Sequence, residues 1–185
     1  MMAADEQQLI LRVKEGDHEA YRVLVERHMK HAYNIAYGFL IDHDDAEDIA
    51  QESFVRIYES IQSFRGKASF NTWLYRIVTN LSLNKLRQRK NTNHRIAKLP
   101  HQSAMNIISA TDDSTDQDVK PIIERALHAL PTLQRAVVIL RYLNGLSTRQ
   151  VREILRCSEG TIKTHLHRGM KKMKTQLTEI KDEVI

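Results

Sequence analysis

Leu9 and Val13, then Tyr21, Leu24, Val25, His28 and Ala32, fall at spacings of three and four, which predicts helical structure over residues 5–40. Gly16-Asp17 breaks that register and can start a second helix. Asp42-His43-Asp44-Asp45 reads as a turn followed by a helix start, with acids where the positive end of a helix favours them. Residues 46–61 show the clearest amphipathic pattern. Ala46, Ile49, Ala50, Ser53, Phe54, Ile57, Tyr58 and Ile61 share one face, and Asp45, Asp48, Gln51, Glu52, Arg56 and Glu59 share the other. Arg65-Gly66-Lys67-Ala68 reads as a loop. Residues 70–90 then form a helix that buries Leu74, Ile77, Val78, Leu81 and Leu86.

The pattern fades over residues 91–119, where Asn, Ser, Thr, Asp and Gln dominate and Pro100 interrupts. This predicts a flexible linker with a short helix around Met105–Ile108. A second apolar block begins at Pro121, with Ile122, Ile123, Ala126 and Leu127 on a helix over 121–129. Leu130-Pro131 restarts the chain, proline being suited to a first helical turn, and Leu133, Ala136, Val137 and Leu140 follow on one face. After Asn144-Gly145, Ser147 and Gln150 form a capping box for a helix over 148–156 that buries Val151, Ile154 and Leu155. A tight turn at Cys157–Gly160, with Ser158 as a further cap, leads to a helix over 160–177 that buries Ile162, Leu166, Met170 and Met173. The expected fold is all-α. Two small helical domains, residues 1–92 and 120–185, are joined by a flexible linker over 93–119, and the second carries a helix-turn-helix.

Charge adds direction to this outline. Residues 65–98 hold nine Lys or Arg and no acid, and residues 141–174 hold nine more against Glu153 and Glu159. Residues 42–59 hold seven acids against Arg56. The basic segments suit a polyanion, and the acidic one suits a protein partner. On the last helix, Lys163, Thr164, His167 and Arg168 lie where donors can read base edges in a major groove, and Lys171, Lys172 and Lys174 follow where cations hold phosphates.

Two blocks of residues resemble a known family. Leu130-Pro131, Gln134-Arg135, Leu140-Arg141-Tyr142-Leu143, Gly145-Leu146-Ser147, Gly160-Thr161-Ile162-Lys163 and Leu166-His167-Arg168 are similar to sigma region four. Residues 45–54, then Phe64-Arg65-Gly66, then Phe70, Thr72-Trp73-Leu74-Tyr75-Arg76-Ile77 and Asn80, are similar to sigma region two. Their order, separation and length resemble the extracytoplasmic-function (ECF) sigma factors, over roughly residues 20–90 and 120–176. The resemblance implies a factor that binds core RNA polymerase and directs promoter-specific initiation under the control of an anti-sigma factor. Asp48, Gln51 and Glu52 would dock on the polymerase. Phe64, Arg65, Lys67, Ser69, Phe70, Arg76, Asn80, Asn84, Lys85 and Arg87 would bind the −10 element as single strand. The loop Gly66–Ser69 resembles the family loop that holds a flipped base, and opening DNA needs such a pocket together with aromatic faces and backbone cations. Trp73 and Tyr75 cannot share one face, so at least one of them is not at the DNA. Lys163, Thr164, His167, Arg168 and Lys171 would read the −35 duplex. Arg152 and Arg156 stand where the family usually has alanine and glycine, and His165 where it has arginine, which leaves the promoter sequence open.

Two rivals are weighed. A repressor or activator shares the helix-turn-helix but needs neither the acidic docking face nor the basic aromatic segment. A metalloprotein or enzyme is suggested by nine histidines, yet one cysteine, Cys157, cannot build a structural zinc site, and no phosphate-cradling glycine loop or nucleophile motif occurs. No catalysis, cofactor or metal is expected. With charged residues throughout 1–20 and no apolar run near the ~20 residues needed to cross a bilayer, the chain is expected in the cytoplasm. It would sit at the nucleoid when bound to polymerase, or at the membrane when an anti-sigma factor holds it there.

Overall fold

The computed structural model describes residues 2–96 and 119–184. Among them are eight α-helices and no strand: α1 (Met2–Lys14), α2 (His18–Leu40), α3 (His43–Ser60), α4 (Phe70–Ile96), α5 (Val119–His128), α6 (Thr132–Val138), α7 (Thr148–Leu155) and α8 (Glu159–Val184). A 3₁₀ turn, Ile61–Ser63, follows α3, and a π turn, Ile139–Leu143, continues α6. The short helix expected around Met105–Ile108 lies outside the described residues. Helix α4 runs on through Ile96, into the stretch assigned to the linker.

Side chains start these helices as their types require. Asp17 accepts the Ala20 N–H at 3.0 Å and Asp42 that of Asp45 at 2.9 Å. Ser147 and Gln150 complete the capping box at the start of α7, and Ser158 accepts the Thr161 N–H at 3.1 Å in the first turn of α8. Each cap is worth about 1 kcal/mol. The Ala20 N–H and then the Arg12 guanidinium hold the Asp17 carboxyl below its ordinary pKa.

In the first domain α2, α3 and α4 pack around Leu24, Ile35, Phe39, Ile57, Phe70, Leu74 and Val78, all essentially without solvent contact. Burying one such side chain contributes about 1.5–3 kcal/mol. Helix α1 closes the end of this core with Leu9, Ile10 and Val13. Tyr58, expected on the apolar face of α3, is instead 44% exposed, at the edge where the 3₁₀ turn draws Ile61 inward. In the second domain α8 crosses α6 at Gly169, where a Cβ would fall 2.9 Å from Val138 Cγ2, so only glycine allows this approach without a shift. Ala136, Val137, Ile139, Leu140, Val151 and Ile162 form the core beneath it, while Leu155, Leu166 and Met170 are half-buried at its margin. The π turn leaves Tyr142 and Leu143 exposed one residue after the buried pair Ile139 and Leu140.

The two domains touch. Ile139 side-chain carbons lie 3.4 Å from where a Cβ on Gly38 would stand. The buried Arg135 guanidinium donates to the Phe39 carbonyl of α2 at 3.0 Å, and to the carbonyls of His128 and Leu130 within its own domain. Tyr37 donates to Glu124 at 2.9 Å. A cleft of about 640 Å³ lies along this seam, lined among others by His31, Tyr37, Tyr75, Ile123, Glu124 and Leu143.

Candidate nucleic-acid and partner interfaces

The acids of residues 42–59 divide between two jobs. Asp48, Gln51 and Glu52 are exposed on the outer face of α3, together with Asp44 and Glu47. Glu52 accepts the Arg56 guanidinium at 2.9 Å one turn on, and Asp48 makes no ion pair among the described residues. Asp42 and Asp45 turn the other way, onto α4. Lys85 sits 2.8 Å from Asp45, and Arg89 bonds both carboxylates and the Leu40 carbonyl. Burial pushes the Asp45 carboxyl up, but Lys85 and Arg89 outweigh it and hold its pKa below the ordinary value.

This pairing separates the residues expected at the −10 strand. Arg65, Gly66, Lys67 and Ser69 are exposed in the loop between the 3₁₀ turn and α4, and Gly66 turns that loop with φ +69°. Ser69 caps α4 through the Thr72 N–H at 3.2 Å, and the two hydroxyls are 3.0 Å apart. Trp73, Arg76, Asn80, Asn84 and Arg87 follow at intervals of three and four, so they form one stripe about 21 Å long continuing from the loop. Asn80, Asn84 and Arg87 are exposed, and Arg76 and Trp73 are half-buried. Lys85 lies beside the stripe, committed to Asp45. Phe70 is 1% exposed and packs on His28, with ring centroids 5.0 Å apart. Its ring therefore backs the loop from the core and presents no free face to a base. Tyr75 is also buried. Phe64 is half-buried, stacked on Trp73 at 4.9 Å and edge-on to Phe70.

In the helix-turn-helix, Lys163, Thr164, His167, Arg168 and Lys171 are all exposed on one face of α8, opposite Ile162 and Met173. Arg152 and Arg156 both point to solvent, so neither disturbs the helix crossing. Arg156 ends α7 in the left-handed region at φ +54°. The Arg141 guanidinium bonds the Leu146 carbonyl and closes the turn before α7. Among the described residues no three His, Cys, Asp or Glu side chains gather to hold a metal ion. No helix among them is long and apolar enough to cross a membrane.

The seam residues Tyr37, Glu124, Arg135 and Gln150 carry no signal of an interdomain role in the sequence. Gln150 of the capping box lies 3.5 Å from Thr72, the residue that Ser69 caps, so α7 rests on the start of α4 beside the loop. An interdomain hydrogen bond needs two residues distant in sequence, and no local spacing encodes it.

Two helical modules, one with an acidic face beside a loop rimmed by aromatics and cations, the other with a basic helix-turn-helix, define a two-domain DNA-binding factor with a protein-docking surface. The family models for Sigma-70 region 2 and Sigma-70 region 4 match residues 24–92 and 121–173. The chain belongs to the sigma-70 family, in its ECF branch. It is 33% identical over 179 residues to the ECF RNA polymerase sigma factor SigW of Bacillus subtilis, covering 92% of this chain and 96% of that one. It is 29% identical to the ECF RNA polymerase sigma-E factor of Haemophilus influenzae, covering 93% and 95%. Two solved structures share the fold, each with a TM-score of 0.69. One is CnrH in complex with the cytosolic domain of CnrY, at 22% identity over 94% of this chain and 97% of that one. The other is RpoE with the anti-sigma factor NepR from Bartonella quintana, at 24% identity over 88% and 97%.

Proposed function

We propose that this chain joins core RNA polymerase and confers promoter-specific initiation, with residues 2–96 docking on the polymerase and opening the −10 element and residues 119–184 reading the −35 duplex. The observation that carries this reading is the order of exposed faces in the first domain. An exposed Asp48, without an ion pair among the described residues, lies with Gln51 and Glu52 on one helix, and a loop with a cationic and amide-bearing stripe lies on the next. A simple repressor needs neither.

In this reading Asp48, Gln51 and Glu52 meet a basic surface of the polymerase. Arg65, Lys67 and Ser69 line the path of the −10 strand, with Arg76, Asn80, Asn84 and Arg87 along α4 and the Phe64–Trp73 stack as an aromatic platform. Phe70 supports that platform from below, and Lys85 orders Asp45 against α4. Lys163, Thr164, His167 and Arg168 face base edges, and Lys171 the backbone. The factor acts in the cytoplasm, and an anti-sigma factor holds it inactive by covering these faces. The second part draws on likeness to RpoE, which was solved with NepR.

Run-off transcription with core polymerase tests the whole. The expected result is promoter-dependent transcript that falls sharply when Asp48→Lys and Glu52→Lys are combined. Lys163→Ala and Arg168→Ala should each weaken −35 binding by about 1–3 kcal/mol if they read bases. Failure to bind core in a pull-down, with transcription indifferent to the charge reversals, would return the chain to the class of ordinary DNA-binding regulators.

A further inference from the structure

Helix α1 lies wholly outside the two segments that the family models match, yet it ends against the loop that the proposed function assigns to the −10 strand. Lys14, its last residue, donates from Nζ to the Phe64 carbonyl at 2.6 Å. Gln62 in the 3₁₀ turn returns a bond from Nε2 to the Lys14 carbonyl at 2.7 Å. The two bonds run in opposite directions between the same pair of segments, 48 and 50 residues apart in the chain.

Phe64 is thereby held at every group it has. Its N–H closes the 3₁₀ turn on the Ile61 carbonyl at 3.1 Å, its ring stacks on Trp73, and its carbonyl, the first acceptor past the turn, is taken by Lys14. Beyond Phe64 come Arg65, Gly66 and Lys67, all exposed, and the next anchor is the Ser69 cap of α4. The path of the loop between these two anchors follows from where Phe64 is pinned. A lysine suits this place for physical reasons. A cation is favoured in the last turn of a helix, and its long stem lets a half-buried residue carry a donor outward. The Gln62 bond satisfies one of the carbonyls that a helix end leaves without a partner.

We propose that Lys14 is a positioning residue for −10 strand binding, with Gln62 as its reciprocal partner: it holds the Phe64 carbonyl and so sets the departure of the Arg65–Ser69 loop. The proposal rests on the −10 reading given above. A residue that merely stabilises the domain would affect every activity alike, whereas a positioning residue acts on the loop alone.

The test uses holoenzyme assembled from core polymerase and the full chain. It measures affinity for a single-stranded −10 oligonucleotide and for a −35 duplex, both taken from a promoter active in the run-off assay, along with the thermal midpoint of the free factor. Lys14→Met keeps the stem and removes the donor. It should weaken −10 strand binding about three- to tenfold and leave −35 binding unchanged, and Lys14→Arg should recover most of the loss. Gln62→Ala, which leaves Lys14 in place, should give a smaller loss of the same kind and decides the matter if Lys14→Met does not fold. Unchanged −10 binding in folded Lys14→Met, or in Gln62→Ala where that variant decides, would overturn the proposal. So would equal losses at −10 and −35, or no recovery in Lys14→Arg. If the unaltered holoenzyme binds the −35 duplex but no −10 strand at all, the assignment of the loop itself falls, and the proposal with it.

Discussion

His28 sits between α1 and the aromatic residues under the loop, with Nε2 2.9 Å from Glu6 Oε1 and its ring 5.0 Å from that of Phe70. Burial lowers its pKa below 6.5, and the nearby Glu6 carboxylate only partly opposes this. The unfolded chain therefore takes up the proton first as pH falls. The contribution of the neutral ring is complete above about pH 6.5 and is lost as pH drops through the folded pKa. Asp17 and Asp45, whose carboxyls are held below 3.8, lose their contribution only in a more acidic range. His128 is shifted the same way, by partial loss of hydration and then by Arg135, but much of its surface stays exposed to solvent, which screens the effect. The urea midpoint of the unaltered chain should fall between pH 7.5 and pH 5.5, and the fall should be clearly smaller in His28→Gln. Equal falls in the two proteins would remove His28 from the account.

At the scale of the helix, two ends are made by residues poorly suited to them. Helix α2 terminates at Ile41 with φ +50° and α7 at Arg156 with φ +54°. Ile41 is held there because only Ile41 and Asp42 connect α2 to α3, and Asp42 must already cap α3. Arg156 has no such packing reason, since its side chain is exposed. Left-handed backbone costs a non-glycine residue about 1–2 kcal/mol, while glycine adds about 0.5–1 kcal/mol of entropy to the unfolded chain. Arg156→Gly should thus raise stability by about 0.5–1 kcal/mol, read as a higher urea midpoint with an unchanged slope. A lower midpoint would show that the guanidinium contributes more than the strain costs. Helix ends also mark what the sequence could disclose. The Asp42, Ser147 and Ser158 caps, the helix-turn-helix and the exposed faces of α3 and α8 are legible because each depends on neighbours within four positions. The π turn at 139–143 is not, because its extra residue is accommodated by packing. The placement of Lys85 and Phe70 is illegible for the same reason. In sequence they belong to a basic aromatic stretch, and only the approach of α3 and α2 turns one toward Asp45 and the other into the core.

At the scale of the whole molecule, the seam between the domains opposes the proposed function. The names of the −10 and −35 elements set them about 25 base pairs apart, about 85 Å along the duplex at about 3.4 Å per pair. Helices α4 and α8 are each about 40 Å long, and α7 links them by resting on the start of α4 and packing on α8. In the proposed function the two reading surfaces, the loop before α4 and the start of α8, both adjoin α7, an eight-residue helix about 12 Å long, so they fall well short of that separation while the seam is closed. The contacts that close it are limited. Arg135 is 6% exposed and has no carboxylate partner among the described residues; its charge is met by carbonyls at the ends of α2 and α5, the negative ends of both helices. Opening gives up the Phe39 bond, worth about 1.5–3 kcal/mol as a charge-assisted hydrogen bond, together with the Tyr37–Glu124 bond and the seating of Ile139 against Gly38. Reversing a 99:1 preference takes about 5.5 kcal/mol, which a large polymerase interface can supply. Energy transfer between dyes on cysteines placed at the exposed Ser63 and Thr175, in a Cys157→Ser background, should be high in the free factor and drop when core polymerase is added. Arg135→Ala should lower it in the free factor without polymerase. Transfer that stays high in active holoenzyme would mean that the seam persists during initiation, and that the elements are read by some route other than separation of the two domains.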